Sequence, residues 1–101
     1  MIHESGDYGE LATGETRLAF SSKDLMKQIG KAPCAVDPSA PTFEIAFETA
    51  EVASNLKRAL EAGATLVQDV AEMPWGQTTA YVRDNNGFLV ELCTAVRPQP
   101  Q

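Results

Sequence analysis

The run from Pro74 to Thr94, Pro-Trp-Gly-Gln-Thr-Thr-Ala-Tyr-Val-Arg-Asp-Asn-Asn-Gly-Phe-Leu-Val-Glu-Leu-Cys-Thr, constrains this chain more than any other part of it. Thr78 to Arg83 and Phe88 to Leu92 are rich in β-branched and aromatic residues, which is the composition of strands. Between them lies Asp84-Asn85-Asn86-Gly87, where Asn and Gly accept the positive φ that tight turns require. The run therefore predicts two antiparallel strands closed by a turn. One residue breaks its apolar pattern. Alternation places Glu91 on one face with Leu89 and Cys93. A carboxylate there costs free energy unless it is paired, hydrogen-bonded, solvated or bound to a cation.

At 101 residues the chain suffices for one domain with a modest core. An apolar share of 44% fits a globular chain rather than a disordered one. No apolar run approaches membrane-spanning length, and the N-terminus lacks a basic-plus-apolar leader pattern. These features predict a cytoplasmic protein without a membrane partner. Cys34 and Cys93 are then reduced thiols rather than a disulfide framework. Eight basic residues against fourteen acidic ones leave a net charge of −6, which argues against a nucleic-acid partner, since phosphate binding needs clustered Lys and Arg. The charge suits a cationic ligand, and solubility alone would also account for it.

Taken in order, residues 1–22 read as strand, turn, strand, with Ser5-Gly6-Asp7 and Thr13-Gly14-Glu15 as turn signals around Tyr8 to Ala12. In Thr16 to Phe20, Leu18 and Phe20 share one face and Ala19 the other. Leu25, Met26 and Ile29 fall at helical spacing, predicting a short helix from Lys23 that Gly30 ends. Residues 31–41 carry Pro33, Pro38 and Pro41 and form a connector. Thr42 to Glu48 alternates, Phe43, Ile45 and Phe47 against Glu44, Ala46 and Glu48. Thr49 is a candidate cap for a helix with Glu51 in its first turn and Val52, Leu56, Ala59 and Leu60 as its buried stripe. Gly63 ends that helix. Ala64 to Val70 is the next strand, and Pro98 to Gln101 should fray.

The order Pro74-Trp75-Gly76, strand, Arg83-Asp84-x-x-Gly87, strand ending Val90-Glu91-Leu92 resembles the closing hairpin of the vicinal-oxygen-chelate superfamily. That superfamily includes glyoxalase I, extradiol dioxygenases, fosfomycin-resistance enzymes and bleomycin-resistance binding proteins. The resemblance implies an α+β fold of paired βαβββ modules in a single domain over residues 1–101. Residues 1–22 would be the last three strands of module one, 23–41 a connector, 42–94 the complete second module and 95–101 a tail. The strand and helix that open module one, roughly 25 residues on usual element lengths, are expected to be missing. Relatives use the connector as a flap over the ligand; a plain linker is the alternative.

In a βαβββ unit the first and last strands are neighbours, so Glu44 and Glu91 are expected side by side, away from the helix. In metal-dependent relatives the first strand supplies a His, Gln or Glu ligand and the fourth a Glu. Glu91 matches the second position and Glu44 the first, an incomplete set for a divalent cation. Ala19 stands where module one would carry its Glu. His3, the only histidine, falls on a different strand. Without a metal the two carboxylates repel each other and would hold an amine, a guanidinium or a proton, or simply be solvated.

Trp75 is a candidate ligand platform or a cover for the end of the core. The period leaves Tyr81 facing either the cavity or the helix, and Arg83-Asp84 is expected to pin the turn. The expected function is binding of a small organic, cationic ligand, with Glu44, Glu91, Trp75 and Tyr81 as contacts and no complete metal site, as in antibiotic-resistance binders. The alternative is a metal-dependent lyase, transferase or dioxygenase of the glyoxalase I type using Glu44 and Glu91. The edge strand Arg17 to Phe20, left uncovered, predicts a homodimer.

Overall fold

A computed structural model describes His3, Glu4, Gly6 and residues 8–96, with the backbone alone for His3 and Glu4. The expectations for the His3 imidazole, for Ser5 and Asp7 in the first turn and for the fraying of Pro98 to Gln101 lie outside these residues. The chain is α+β and divides into two compact units, Met1–Ala35 and Val36–Gln101.

The first unit is a three-stranded antiparallel sheet followed by one helix. Strands β1 (His3–Glu4), β2 (Tyr8–Ala12) and β3 (Arg17–Ser21) lie in the order β1-β2-β3. Helix α1 (Lys23–Gln28) starts where the Ser22 hydroxyl accepts the Leu25 N–H at 3.0 Å, which satisfies one of the helix's orphan donors. It buries none of its residues. Gly9 is the one buried residue among those described in this unit, so it holds no apolar core of its own.

The second unit is a complete βαβββ arrangement: β4 (Glu44–Glu48), α2 (Val52–Glu61), β5 (Thr65–Glu72), β6 (Thr78–Arg83) and β7 (Leu89–Cys93). Its sheet runs β4-β7-β6-β5, with β4 parallel to β7 and the other pairs antiparallel. The parallel pair is what a helical crossover permits, because two parallel neighbours cannot be joined by a tight turn. Helix α2 presses Val52 and Leu56 onto Ala80, Val82 and Leu92, with Phe47, Ala64 and Val90 packed around them. Each fully buried aliphatic side chain in such a cluster is worth about 1.5–3 kcal/mol. The stability of the fold is concentrated here.

Three local expectations are corrected. Thr49 does not cap α2 directly; its Oγ1 accepts the Glu51 N–H at 3.0 Å and an Asn55 side-chain N–H at 2.8 Å. The hydroxyl is spent on a local turn, so Glu51 becomes the cap residue and the helix opens at Val52. The buried stripe is narrower than its spacing implied, since Leu60 is 37% exposed. Phe43 lies outside the strand, which opens at Glu44. It is 56% exposed, and its ring sits 5.8 Å from that of Phe88.

Candidate functional site

Register decides which side chains meet. Partnered residues of neighbouring strands point to the same side of a sheet, and β7 partners both β4 and β6. Ala46 is opposite Glu91, and Glu91 is opposite Tyr81. Ile45, Phe47, Val90, Leu92, Ala80 and Val82 therefore face α2. Glu44, Glu48, Leu89, Glu91, Cys93 and Tyr81 face away from it. Tyr81 is thus placed on the carboxylate face, a choice the sequence left open. The expectation that Glu44 and Glu91 share that face holds, but they are not direct partners. Glu44 is opposite Leu89 and Glu48 opposite Cys93, so Glu91 lies diagonally between two β4 carboxylates. Glu48 is the third carboxylate that sequence reasoning passed over, although the alternation of β4 contained it.

The hydrogen bond at the centre of this face joins the Tyr81 hydroxyl, as donor, to Glu91 Oε2 at 2.8 Å. Accepting that proton stabilises the neutral phenol, and the bond, with burial and the charges of Glu91 and Glu44, pushes the Tyr81 pKa up to about 12. One carboxylate oxygen of Glu91 is held by the phenol, and Oε1 has no partner among the described residues. Beside them the Cys93 thiol is buried, and its pKa is raised first by that burial and then by the charges of Glu91 and Glu48. Thr79 is 1% exposed, and its hydroxyl has no partner among the described residues. Arg83, on the same face, donates its Nε–H to the Pro38 carbonyl at 2.9 Å.

The closing turn is pinned as its sequence implied, chiefly through Asp84. Its Oδ1 accepts the N–H groups of Asn86 and Phe88, each at 2.9 Å. Trp75 is 50% exposed, so it does not simply seal the core. Its indole N–H donates to Gln77 Oε1 at 2.7 Å, and the Gln77 amide donates to the Thr94 carbonyl at 2.9 Å. The neighbouring Gly76 opens onto a cleft of about 540 Å³ at the end of the sheet, lined also by Glu48, Thr49, Thr78 and Thr94. These residues come from three separate connections, so no local pattern announces them.

Glu44 and Glu91 by themselves are an incomplete donor set for a divalent metal. Among the described residues no three of His, Cys, Asp and Glu converge on a common point, whereas such an ion asks for several ligands. Two carboxylates set diagonally supply only part of such a set. Among the described residues, too, no helix is long and apolar enough to cross a membrane.

Comparison with known proteins bears on the fold and the family. No curated protein matches the chain. A glyoxalase-related enzyme from Fulvimarina pelagi superposes with a TM-score of 0.76 at 21% identity, over 93% of this chain and 68% of that one. The bleomycin resistance determinant encoded on the transposon Tn5 gives 0.63 at 19%, over 92% and 75%. A bleomycin-binding protein crystallised with bleomycin gives 0.61 at 18%, over 93% and 76%. At these identities the likeness establishes the fold alone. The family model for the glyoxalase/bleomycin resistance protein/dioxygenase superfamily matches residues 2–92, and the chain belongs to that superfamily.

Proposed function

We propose that this protein binds a small organic cation on the sheet face that carries Glu91, without a metal and without catalysing a reaction. The observation that carries the reading is the Tyr81–Glu91 hydrogen bond. It fixes one oxygen of the Glu91 carboxylate and leaves the other without a partner among the described residues. Glu44 flanks it on the same face and adds negative potential, and Trp75 offers an exposed aromatic surface of the kind that attracts cations. A bleomycin-binding protein of this fold is a precedent for a binding role. Retention of a drug-like cation in the cytoplasm would make such a protein a resistance factor.

The reading includes a homodimer. β3 and β5 are edge strands, with Phe20 42%, Leu66 45% and Val70 40% exposed on them, and open edges of this kind favour pairing with another chain. Sedimentation at micromolar concentration is expected to give a dimer; a monomer that melts cooperatively would remove this part of the proposal. The ligand reading is tested by calorimetric titration with amines and their neutral amide analogues, alongside metal analysis of protein purified without chelator. Saturable heat from amines alone is expected. Stoichiometric nickel, zinc, manganese or iron lost on Glu91→Gln would replace the binder with a metalloenzyme.

A further inference from the structure

The cleft at the end of the β4–β7 sheet takes no part in the reading above, yet its walls are built. The Thr49 N–H donates to the Cys93 carbonyl at 2.7 Å, tying the turn after β4 to β7. The Thr94 N–H donates to the Thr78 carbonyl at 3.0 Å, and the Thr78 N–H donates back to Thr94 Oγ1 at 2.9 Å. Gln77 holds the third side through its bond to the Thr94 carbonyl. The surrounding backbone is therefore ordered before a ligand arrives, which lowers the entropy lost on binding.

The groups left over define what would fit. The hydroxyls of Thr49 and Thr94 accept hydrogen bonds from the protein, and each keeps its own O–H to donate. Glu48 is exposed, and among the described residues no Lys or Arg pairs with it. A carboxylate excludes anions, and Ala50 and Ala95 supply only small apolar surface. The volume of about 540 Å³ falls within the range of small-molecule sites. We propose that this cleft binds a hydroxylated primary amine, with its ammonium on Glu48 and its oxygens on the hydroxyls of Thr49 and Thr94.

The test is a titration of ¹⁵N-labelled protein with glucosamine, with N-acetylglucosamine as the uncharged control. Saturable shifts are expected at the amides of Thr49, Gly76, Thr78 and Thr94 with glucosamine only. Glu48→Gln should weaken them by about tenfold or more, the loss of one charge-assisted contact. Glu61→Gln, which removes the same charge from the outer face of α2, should leave them unchanged. Equal shifts with N-acetylglucosamine, an equal loss in Glu61→Gln, or no response to glucosamine and ethanolamine would each overturn the site. Shifts confined to Tyr81 and Glu91 would overturn it too, while supporting the proposed function.

Discussion

Each unit of this molecule joins a tyrosine to a glutamate, and the two pairs are built differently. In the first unit the Tyr8 hydroxyl donates to Glu10 Oε1 at 2.7 Å within a single strand, and Arg17 lies 3.6 Å from the other carboxylate oxygen. In the second unit Tyr81 reaches Glu91 across two strands, and among the described residues no Lys or Arg forms an ion pair with it. The positions are related by topology. Glu10 on β2 is opposite Ala19 on β3, just as Tyr81 on β6 is opposite Glu91 on β7. The first unit carries its carboxylate on the middle strand, beside the Arg17 guanidinium. The second carries it on the last strand, on the face opposite the core that α2 covers. Residue types alone do not make a binding site; charge balance and support beneath the sheet distinguish the two.

The largest contrast is expected in the support. Leu56 is 5% exposed inside the α2 cluster, and Leu56→Ala should cost about 2–4 kcal/mol in urea unfolding. Leu18 on β3 is only half-buried, so Leu18→Ala should cost about 1 kcal/mol or less, a modest transfer loss. Equal losses would show that the first unit depends on a core of its own, and the comparison would fail.

A smaller difference is expected between the two turns. Gly14 and Gly87 both have positive φ, +96° and +89°, which costs an alanine about 1–2 kcal/mol. A side-chain carbon at Gly14 would meet nothing within 4 Å. At Gly87 it would meet Val36 Cγ1 at 3.3 Å and Pro38 Cβ at 3.4 Å. Thermal melts should therefore place Gly87→Ala below Gly14→Ala. The reverse order would mean that the connector yields freely around the hairpin.

The smallest effect is electrostatic. In a Tyr8→Phe background, the tyrosinate absorbance of Tyr81 should rise near pH 12. Its folded pKa lies above the ordinary value of about 10, so the protonated phenol contributes its full stabilisation below pH 10. That contribution is lost as pH climbs toward 12. Glu91→Gln should bring the titration down toward the ordinary value. No movement would show that burial, rather than the carboxylate, holds the proton.

Much of the second unit was legible because its signals are local. Thr78 to Arg83 forms β6 with the bounds its composition implied, and the Asp-Asn-Asn-Gly turn closes as its residues require. Phe88 falls outside β7 because its N–H and carbonyl both bond to Asp84 and complete the turn. The partnership of Glu91 with Ala46 was not legible, because it depends on how far the helical crossover offsets β4 against β7. β5 ran on to Glu72 through two register shifts that alternation cannot register. The cleft was hidden for a related reason: its hydroxyls come from segments far apart in sequence, and Thr49 read as a helix cap.

The central claim is that Glu91 serves ligand binding rather than folding, and paired melts of the wild type and Glu91→Gln test it most directly. Without ligand the variant should melt at or slightly above the wild type, because repulsion from the neighbouring Glu44 and Glu48 is relieved. With saturating amine the wild type should gain stability that the variant lacks, corresponding to about 1.5–3 kcal/mol of lost binding. A variant that melts far lower alone and shifts as much with amine would make Glu91 a structural residue and contradict the account.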